Sequence, residues 1–266
     1  ILLPSTKRWP PFPARIWQRQ PAVVRNGDIC ESIGTTDVLT ACIDKPVFGH
    51  EFINRCHAVK GLWIYQGAMS NTGTSLSWCL HTLCRDLLLQ AARTEERPMH
   101  LMDLEAERSC PGANGIVFLP YLAGERSPIW DSQATGVFYG LTQKARREDL
   151  VRAVMESSCY GMRQLLELCE GLTRRRYDSI DLIGGGAKSL IWSQMKADIT
   201  GKTVQILENN NASVIGAAIL AGVGVGIFQS VEEANDQMEH KASHILEPQA
   251  SPAAADIYEN RFQTYI

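Results

Sequence analysis

Short apolar stretches alternate with amphipathic stretches along most of the chain, beginning at Val23. "DICESIG" and "DVLTACI" predict two strands joined by a hairpin at Gly34-Thr35-Thr36, and "GLWIYQGA" predicts a third strand. Further strands are predicted in "ANGIVFLPYL" and "TGVFYGLT", and at residues 179–183 and 203–207. Because these strands are interleaved with helical patterns, the chain is predicted to form a layered α/β domain.

The helices are predicted from apolar residues that repeat at about the 3.6-residue helical period. "GTSLSWCLHTLCRDLLLQAA" predicts one helix, and Arg147–Gly171 predicts a long amphipathic helix with Gly171 as its cap. Three more helices are predicted at residues 189–200, over the small residues of Ala212–Gly226, and around Tyr258, Phe262 and Tyr265.

Composition narrows the class of protein. The 266 residues are 45% hydrophobic and 21% charged with a formal net charge of −3, so we expect a soluble globular protein without general affinity for nucleic acid. No apolar run is long enough to predict a membrane span, and no membrane partner is expected. The eight cysteines form no C-x-x-C pair and lie mostly in apolar segments, which indicates buried, reduced thiols and a cytoplasmic location.

Three consecutive glycines, Gly184, Gly185 and Gly186, stand where a predicted strand ends and a helix begins. Glycine permits positive φ and close approach of a ligand, and Ser189 can cap the following helix. The junction suits a nucleotide, but a tight turn without any ligand explains these glycines equally well. The spacing matches neither the dinucleotide-binding fingerprint nor the Walker A loop.

Two other junctions could receive an anion. The Gly34-Thr35 pair offers backbone N–H groups and a hydroxyl group to a phosphate, although such turns are common without a ligand. In "YQGAMSNTGTSLSW" a strand runs past Gly73 into a helix whose first turn could hold an anion or a ribose. Taken alone, an ordinary helix cap at Thr72 or Thr74 explains this second junction better.

Together and in this order, the three junctions resemble the C-terminal domain of the FGGY carbohydrate kinases, with the closest likeness to xylulokinase. The matching stretches include "SIGTTDVLTACIDKP", "GERSPIWD", "ATGVFYGLT" and "LIGGGAKSLIWSQMKADITGK", followed by "GAAILAG". The resemblance extends from about Val23 to Tyr265. It implies an actin-like, ribonuclease-H-like α/β fold and the second lobe of a two-lobed sugar kinase, formed by residues 23–266.

The resemblance also implies ATP and Mg²⁺ as cofactors, and it assigns contacts to ATP residue by residue. The implied contacts are Gly34 and Thr35 with the terminal phosphates, Gly73 and Ser77 with the ribose and α-phosphate, and Gly185, Gly186 and Ala187, beside Ser189, with the adenine and ribose. Phosphoryl transfer depends mainly on positioning and on neutralising charge, so loops rich in backbone donors together with Mg²⁺ suit it.

The general base of the family has no counterpart in this chain. The family places an Asp shortly before the Gly-Thr hairpin, and the matching stretch here is "PPFPA", with Pro13 near the Asp position. We expect residues 1–22 to be an aberrant or truncated remnant, and we expect the first lobe to be absent from the chain. We therefore predict no catalytic residue, no metal ligand and no kinase activity in the chain alone.

The favoured function is ATP-dependent phosphorylation of a sugar, D-xylulose to D-xylulose 5-phosphate, with other ketoses and polyols left open. One alternative is a degenerate nucleotide-binding or oligomerisation module that has lost catalysis. Another is a different actin-like protein such as an ATPase regulator, against which "GERSPIWD" argues. The expected partners are ATP, a sugar, the missing N-terminal lobe and a second copy of the chain, since a lobe without its partner exposes apolar surface.

Overall fold

The computed structural model of the chain describes residues 23–208, 212–237 and 242–266. The predicted remnant at residues 1–22, with Pro13, lies outside the described residues. The strands are β1 (Ile29–Ile33), β2 (Asp37–Ile43), β3 (Ile53–Cys56), β4 (Trp63–Met69), β5 (Val117–Leu119), β6 (Val137–Tyr139), β7 (Ser179–Gly184), β8 (Thr203–Leu207) and β9 (Ala242–Leu246). The helices are α1 (Thr72–Leu83), α2 (Arg85–Thr94), α3 (Pro98–Glu107), α4 (Arg147–Thr173), α5 (Leu190–Thr200), α6 (Ala212–Gly224), α7 (Val231–Asp236) and α8 (Pro252–Tyr265).

Seven strands form one mixed sheet in the order β3-β4-β2-β1-β7-β8-β9. β1, β2 and β4 alternate in direction, whereas β7 and β8 run parallel to β1. Ile33 at the end of β1 lies opposite Asp37 of β2 and Gly184 of β7, and Asp37 lies opposite Met69 at the end of β4. The chain therefore leaves β1, β4 and β7 at the same edge of the sheet, where a ligand crevice is typical of α/β proteins.

The 27-residue helix α4 is the centre of the helical layer. It packs against α1, α3, α5 and α8 and against strands β2 and β5. The larger apolar core joins α1, α3, α4, α5 and α8 with β7 and β8. A second core packs the C-terminal half of α4 against β2 and β4. Two packed layers built in this way confirm the predicted α/β class.

Most predicted elements are present, but their ends differ at several places. The single helix predicted after Gly73 is two helices, because Cys84 takes φ −127° and ψ 35° between α1 and α2. Gly171 was predicted to cap α4 and this is wrong: α4 continues to Thr173, and Arg174 takes the left-handed conformation with φ 54°. Helices α3 and α7 and strands β3 and β9 are additional elements that the sequence patterns did not predict.

The loop with its two short strands, the cysteines and the helices were each the subject of a prediction. The two strands predicted around the "GERSPIWD" loop are only three residues each, and they pair as a small antiparallel ribbon. All eight cysteines are free thiols, six of them buried, while Cys56 and Cys110 are exposed. Among the residues that the structure describes, no helix has the length and apolar character needed to cross a membrane.

Candidate functional site

A cavity of about 910 Å³ lies at the sheet edge where the chain leaves β1, β4 and β7. Its walls come from the β1–β2 hairpin, one side of α1 along most of its length, α3 as far as Asp103, the turn after β7 and Trp192 of α5. Seven of the eight residues assigned by the resemblance line this one cavity: Gly34, Thr35, Gly73, Ser77, Gly185, Gly186 and Ser189. Three junctions that are far apart in the sequence thus border one cavity.

The start of α1 is docked directly on the tip of the β1–β2 hairpin. The backbone N–H of Thr74 donates a hydrogen bond to the carbonyl oxygen of Thr35 at 3.2 Å, and the Thr74 hydroxyl donates to the same oxygen at 3.3 Å. A Cβ atom at Gly73 would lie 2.2 Å from the carbonyl oxygen of Gly34. Glycine is therefore needed at position 73 for the helix to approach the hairpin, whether or not a ligand binds.

The three consecutive glycines differ in what surrounds them. Gly184 has φ 96°, and a Cβ there would lie 2.2 Å from the carbonyl oxygen of Ile33. A Cβ at Gly186 would lie 2.4 Å from Cγ2 of Ile33 and 3.0 Å from the ring of Trp192. A Cβ at Gly185 meets no atom within 4 Å, and its backbone is helical with φ −64° and ψ −35°. Gly184 and Gly186 thus serve packing, and only Gly185 leaves open space.

Ala187 does not line the cavity. Its side chain is only 3% exposed and belongs to the main apolar core. The side chain of Ala187 therefore does not pack against adenine and ribose as predicted, because its methyl group points into the core. Ser189 behaves as predicted for a helix cap: its hydroxyl oxygen accepts a hydrogen bond from the backbone N–H of Trp192 at 3.1 Å.

Helix α3 supplies a wall of the cavity that the sequence analysis missed. Pro98 occupies its first turn, and Arg97, His100 and Asp103 line the cavity. The hydroxyl group of Ser189 donates a hydrogen bond to Oδ1 of Asp103 at 2.7 Å, which ties α3 to the turn after β7. Burial raises the pKa of Asp103, and the hydrogen bond from Ser189 opposes this shift.

The "GERSPIWD" loop does not line the cavity. It is hydrogen-bonded to the junction between β4 and α1, next to the cavity. Oε1 of Glu125 accepts hydrogen bonds from the backbone N–H groups of Ser70 at 2.6 Å and Arg126 at 2.7 Å. The side chain of Arg126 donates to the Ser70 hydroxyl group at 3.1 Å, and Asn71 donates to the carbonyl oxygen of Gly124 at 2.8 Å. These bonds fix the β4–α1 junction, which leads directly into the part of α1 that contacts the hairpin.

A buried group of charges lies beneath the hairpin. The ammonium group of Lys196 contacts a carboxylate oxygen of Glu31 and donates to Oδ2 of Asp37 at 3.1 Å, and all three side chains are at most 1% exposed. Burial disfavours the charge on Lys196, but the nearby charges of Asp37 and Glu31 outweigh it and raise the pKa of Lys196. Burial and the charge of Asp37 raise the pKa of Glu31 well above its ordinary value.

The sheet and its edge cavity define a class of protein before any particular relative is considered. The antiparallel strands β3, β4, β2 and β1 are continued by β7 and β8, which run parallel to β1. With a cleft at the edge where β1, β4 and β7 end, they form a lobe of the actin-like ATPase fold. Residues 31–225 match the C-terminal domain of the FGGY family of carbohydrate kinases. The chain belongs to this family.

Named relatives agree with this assignment. A gluconokinase from Bacillus licheniformis is 32% identical over 226 residues, which cover 83% of this chain and 43% of the relative. A xylulose kinase from Staphylococcus epidermidis is 32% identical over 209 residues, which cover 79% of this chain and 39% of the relative. The crystal structure of xylulose kinase from Rhodospirillum rubrum matches with a TM-score of 0.75 and 26% identity, over 92% of this chain and 47% of that chain. This chain therefore spans less than half the length of these relatives.

Proposed function

We propose that this chain is the ATP-binding half of a sugar kinase that phosphorylates D-xylulose to D-xylulose 5-phosphate. The observation that carries the proposal is the single cavity in which three separate glycine-containing junctions meet. Its volume of about 910 Å³ is at the upper end of the range typical of small-molecule sites, which suits a ligand as large as a nucleotide. Arg97 and Lys188 line it, and their positive charges favour an anionic ligand.

The proposed roles follow the position of each junction. Gly34 and Thr35 at the hairpin tip would contact the terminal phosphates, and Gly73 and Ser77 on α1 would lie beside the α-phosphate and ribose. Gly185 and Gly186 would lie against the adenine, with the open face of Gly185 giving the flat base room. Ser189 would keep this turn in place through its bonds to α3 and α5.

In the proposed reaction a sugar hydroxyl oxygen bonds to the γ-phosphorus of ATP, and the bond from that phosphorus to the β,γ-bridging oxygen breaks. ADP leaves, and the hydroxyl proton passes to a general base. The described residues of this chain bind and orient the nucleotide; the predicted position of the base, near Pro13, lies outside them. We therefore keep the prediction that the chain alone transfers no phosphate.

Mg²⁺ is implied by the family, but the described residues of the cavity lining offer it no set of protein ligands. Asp103 is the one carboxylate among the described residues of the cavity lining. No group of three or more His, Cys, Asp or Glu side chains within residues 23–208, 212–237 and 242–266 is arranged to hold a metal ion. We therefore assign no step to Mg²⁺ through residues of this chain.

A direct test of the nucleotide site uses the neighbouring glycines as a matched pair. Gly185→Ala and the bulkier Gly185→Val add side chains where no atom lies within 4 Å, so the melting temperature should change little while ADP affinity falls. Gly186→Ala forces a Cβ against Ile33 and should lower stability by about 1–3 kcal/mol. Calorimetric titration with ADP and thermal melting separate the two effects. Unchanged ADP affinity in Gly185→Val would remove the turn after β7 from the nucleotide site.

Gluconate is the second candidate for the substrate that is phosphorylated, because a gluconokinase is among the relatives at 32% identity. Release of ADP by the full-length gene product should be measured with D-xylulose, with gluconate and with other ketoses and polyols. Release that depends on D-xylulose supports the proposed reaction, whereas release with gluconate alone replaces the substrate. ADP binding without release for any of these compounds would favour the non-catalytic nucleotide-binding module.

A further inference from the structure

The lining of the cavity includes one acidic side chain and two cationic ones. Among the described lining residues only Asp103 bears a carboxylate, whereas Arg97 and Lys188 are cationic. A carboxylate repels the phosphates that this basic lining attracts. The position of Asp103 is therefore unsuited to phosphate and suited to an uncharged hydrogen-bond donor.

Asp103 is held in one orientation by its neighbours. Its Oδ1 accepts the proton of the Ser189 hydroxyl at 2.7 Å, and the Ser189 oxygen in turn accepts from the Trp192 backbone at 3.1 Å. The side chain is half-buried, and Oδ2 forms no hydrogen bond with any residue of the described parts of the chain. One oxygen of a fixed carboxylate is thus available to a ligand.

Asp103 lies at the part of the cavity, beside the turn after β7, where the proposed function places the nucleoside. Asp103 lies on α3 and is bonded to Ser189, three residues beyond Gly186. The hairpin residues given to the phosphates instead contact the start of α1 through Gly73 and Thr74. A nucleotide with its phosphates at the hairpin and its base at the turn after β7 brings the nucleoside to α3.

We propose that Asp103 recognises the nucleoside of ATP by accepting a hydrogen bond from an uncharged donor, the adenine amino group or a ribose hydroxyl group. This inference rests on the proposed nucleotide site and adds a residue that determines which nucleoside is bound. An ionised carboxylate only accepts hydrogen bonds, so a nucleotide that lacks the donor leaves Asp103 without its partner.

The test compares Asp103→Asn with Glu107→Gln in the full-length gene product. Asn keeps an oxygen for the Ser189 hydroxyl but loses the charge, and Glu107 is an exposed carboxylate on the same helix outside the cavity lining. Asp103→Asn should weaken ADP binding at least about tenfold, as expected for one charge-assisted hydrogen bond. Binding of inorganic tripolyphosphate, which has no nucleoside, should be unchanged or tighter, and Glu107→Gln should change neither affinity.

Three analogues identify the donor: IDP lacks the amino group, and the 2′-deoxy and 3′-deoxy forms of ADP each lack one hydroxyl group. The analogue without the donor should bind the wild type about tenfold more weakly than ADP and be insensitive to Asp103→Asn. ADP affinity within twofold of wild type in Asp103→Asn, or equal weakening of tripolyphosphate, would overturn the inference while leaving the nucleotide site intact. A wild-type protein that binds neither ADP nor tripolyphosphate would overturn the proposed function together with it.

Discussion

The buried lysine beneath the hairpin gives a sharp prediction about stability. Lys196 is the cation between Glu31 and Asp37, and all three side chains are at most 1% exposed. Oδ1 of Asp37 accepts no hydrogen bond from the residues that the structure describes, so this carboxylate already has little support besides Lys196. Removing the positive charge would leave two adjacent buried carboxylates without a counter-charge.

Lys196→Met keeps most of the packed methylene stem while it removes the ammonium group. Breaking a buried ion pair from one side typically costs about 3–5 kcal/mol, because the remaining charge stays buried without compensation. Here the ammonium group is the counter-charge of two buried carboxylates, Glu31 and Asp37. We therefore expect the free energy of unfolding to fall by at least about 3 kcal/mol at neutral pH. That is more than a hundredfold change in the folding equilibrium, since about 1.4 kcal/mol corresponds to a factor of ten.

The loss should depend on pH, with a sign set by Glu31. The pKa of Glu31 is already raised in the folded protein, with Lys196 acting against the rise, so Lys196→Met raises it further. A carboxyl group whose folded pKa lies above its unfolded pKa stabilises the fold below the unfolded value, and that contribution is lost as pH rises through the folded pKa. The variant should therefore be destabilised more at about pH 8 than at about pH 5, by at least about 1 kcal/mol.

Urea unfolding of the wild type and of Lys196→Met at the two pH values measures both effects. Lys196→Met combined with Glu31→Gln should recover part of the stability, because one of the two unpaired charges is gone. Lys202→Met is the control: Lys202 also bonds to a buried carboxylate, Glu170, but Glu170 keeps its ion pair with Arg176 at 3.0 Å. A loss below about 1 kcal/mol, or a loss that is equal at both pH values, would refute the reasoning.

Two further predictions concern residues 23–266 when they are produced without any further lobe. This part of the chain should bind Mg-ATP only weakly, because the family resemblance assigns the other phosphate loop to a lobe that residues 23–266 do not include. A sub-micromolar Kd measured by calorimetry would contradict this expectation. It should also self-associate through α6, where Val214 and Leu220 are 68% and 49% exposed. Leu220→Lys should reduce the mass measured by light scattering, and Phe48→Ser, at an exposed site elsewhere, should not; a wild-type monomer at high concentration would argue against the interface.

The meeting of the three junctions was predictable because each follows a strand that is recognisable from its apolar residues. β1, β4 and β7 were all predicted from the sequence, and the order of the junctions carries the family resemblance. Once these strands belong to one sheet and point the same way, their ends must lie at one edge of it. The position of the cavity is thus a consequence of local patterns combined with a known topology.

Helix α3 was not predictable in this way because a charged residue interrupts its buried face. Leu101, Met102 and Ala106 are buried at helical spacing, but Glu105 is buried with them. Its carboxylate accepts a hydrogen bond from the Arg147 side chain on α4 at 2.7 Å, across 42 residues of sequence. A partner so distant is invisible to a pattern read along the chain, and with α3 the sequence analysis also missed Asp103. The contact of Lys196 with Glu31 could not be predicted for the same reason, because 165 residues separate the two in the sequence.

The three consecutive glycines show what a sequence pattern leaves unresolved even when it finds the correct loop. Identical residues at 184, 185 and 186 face a backbone oxygen, open space and the core residue Ile33 in turn. That difference depends on the direction of each Cα–H bond relative to β1, which pairs with β7 only in the folded sheet. Gly184 and Gly186 would be required by this packing in a lobe that bound nothing. The presence of glycine supports a ligand only at Gly185, which is why the proposed test of the nucleotide site depends on that residue.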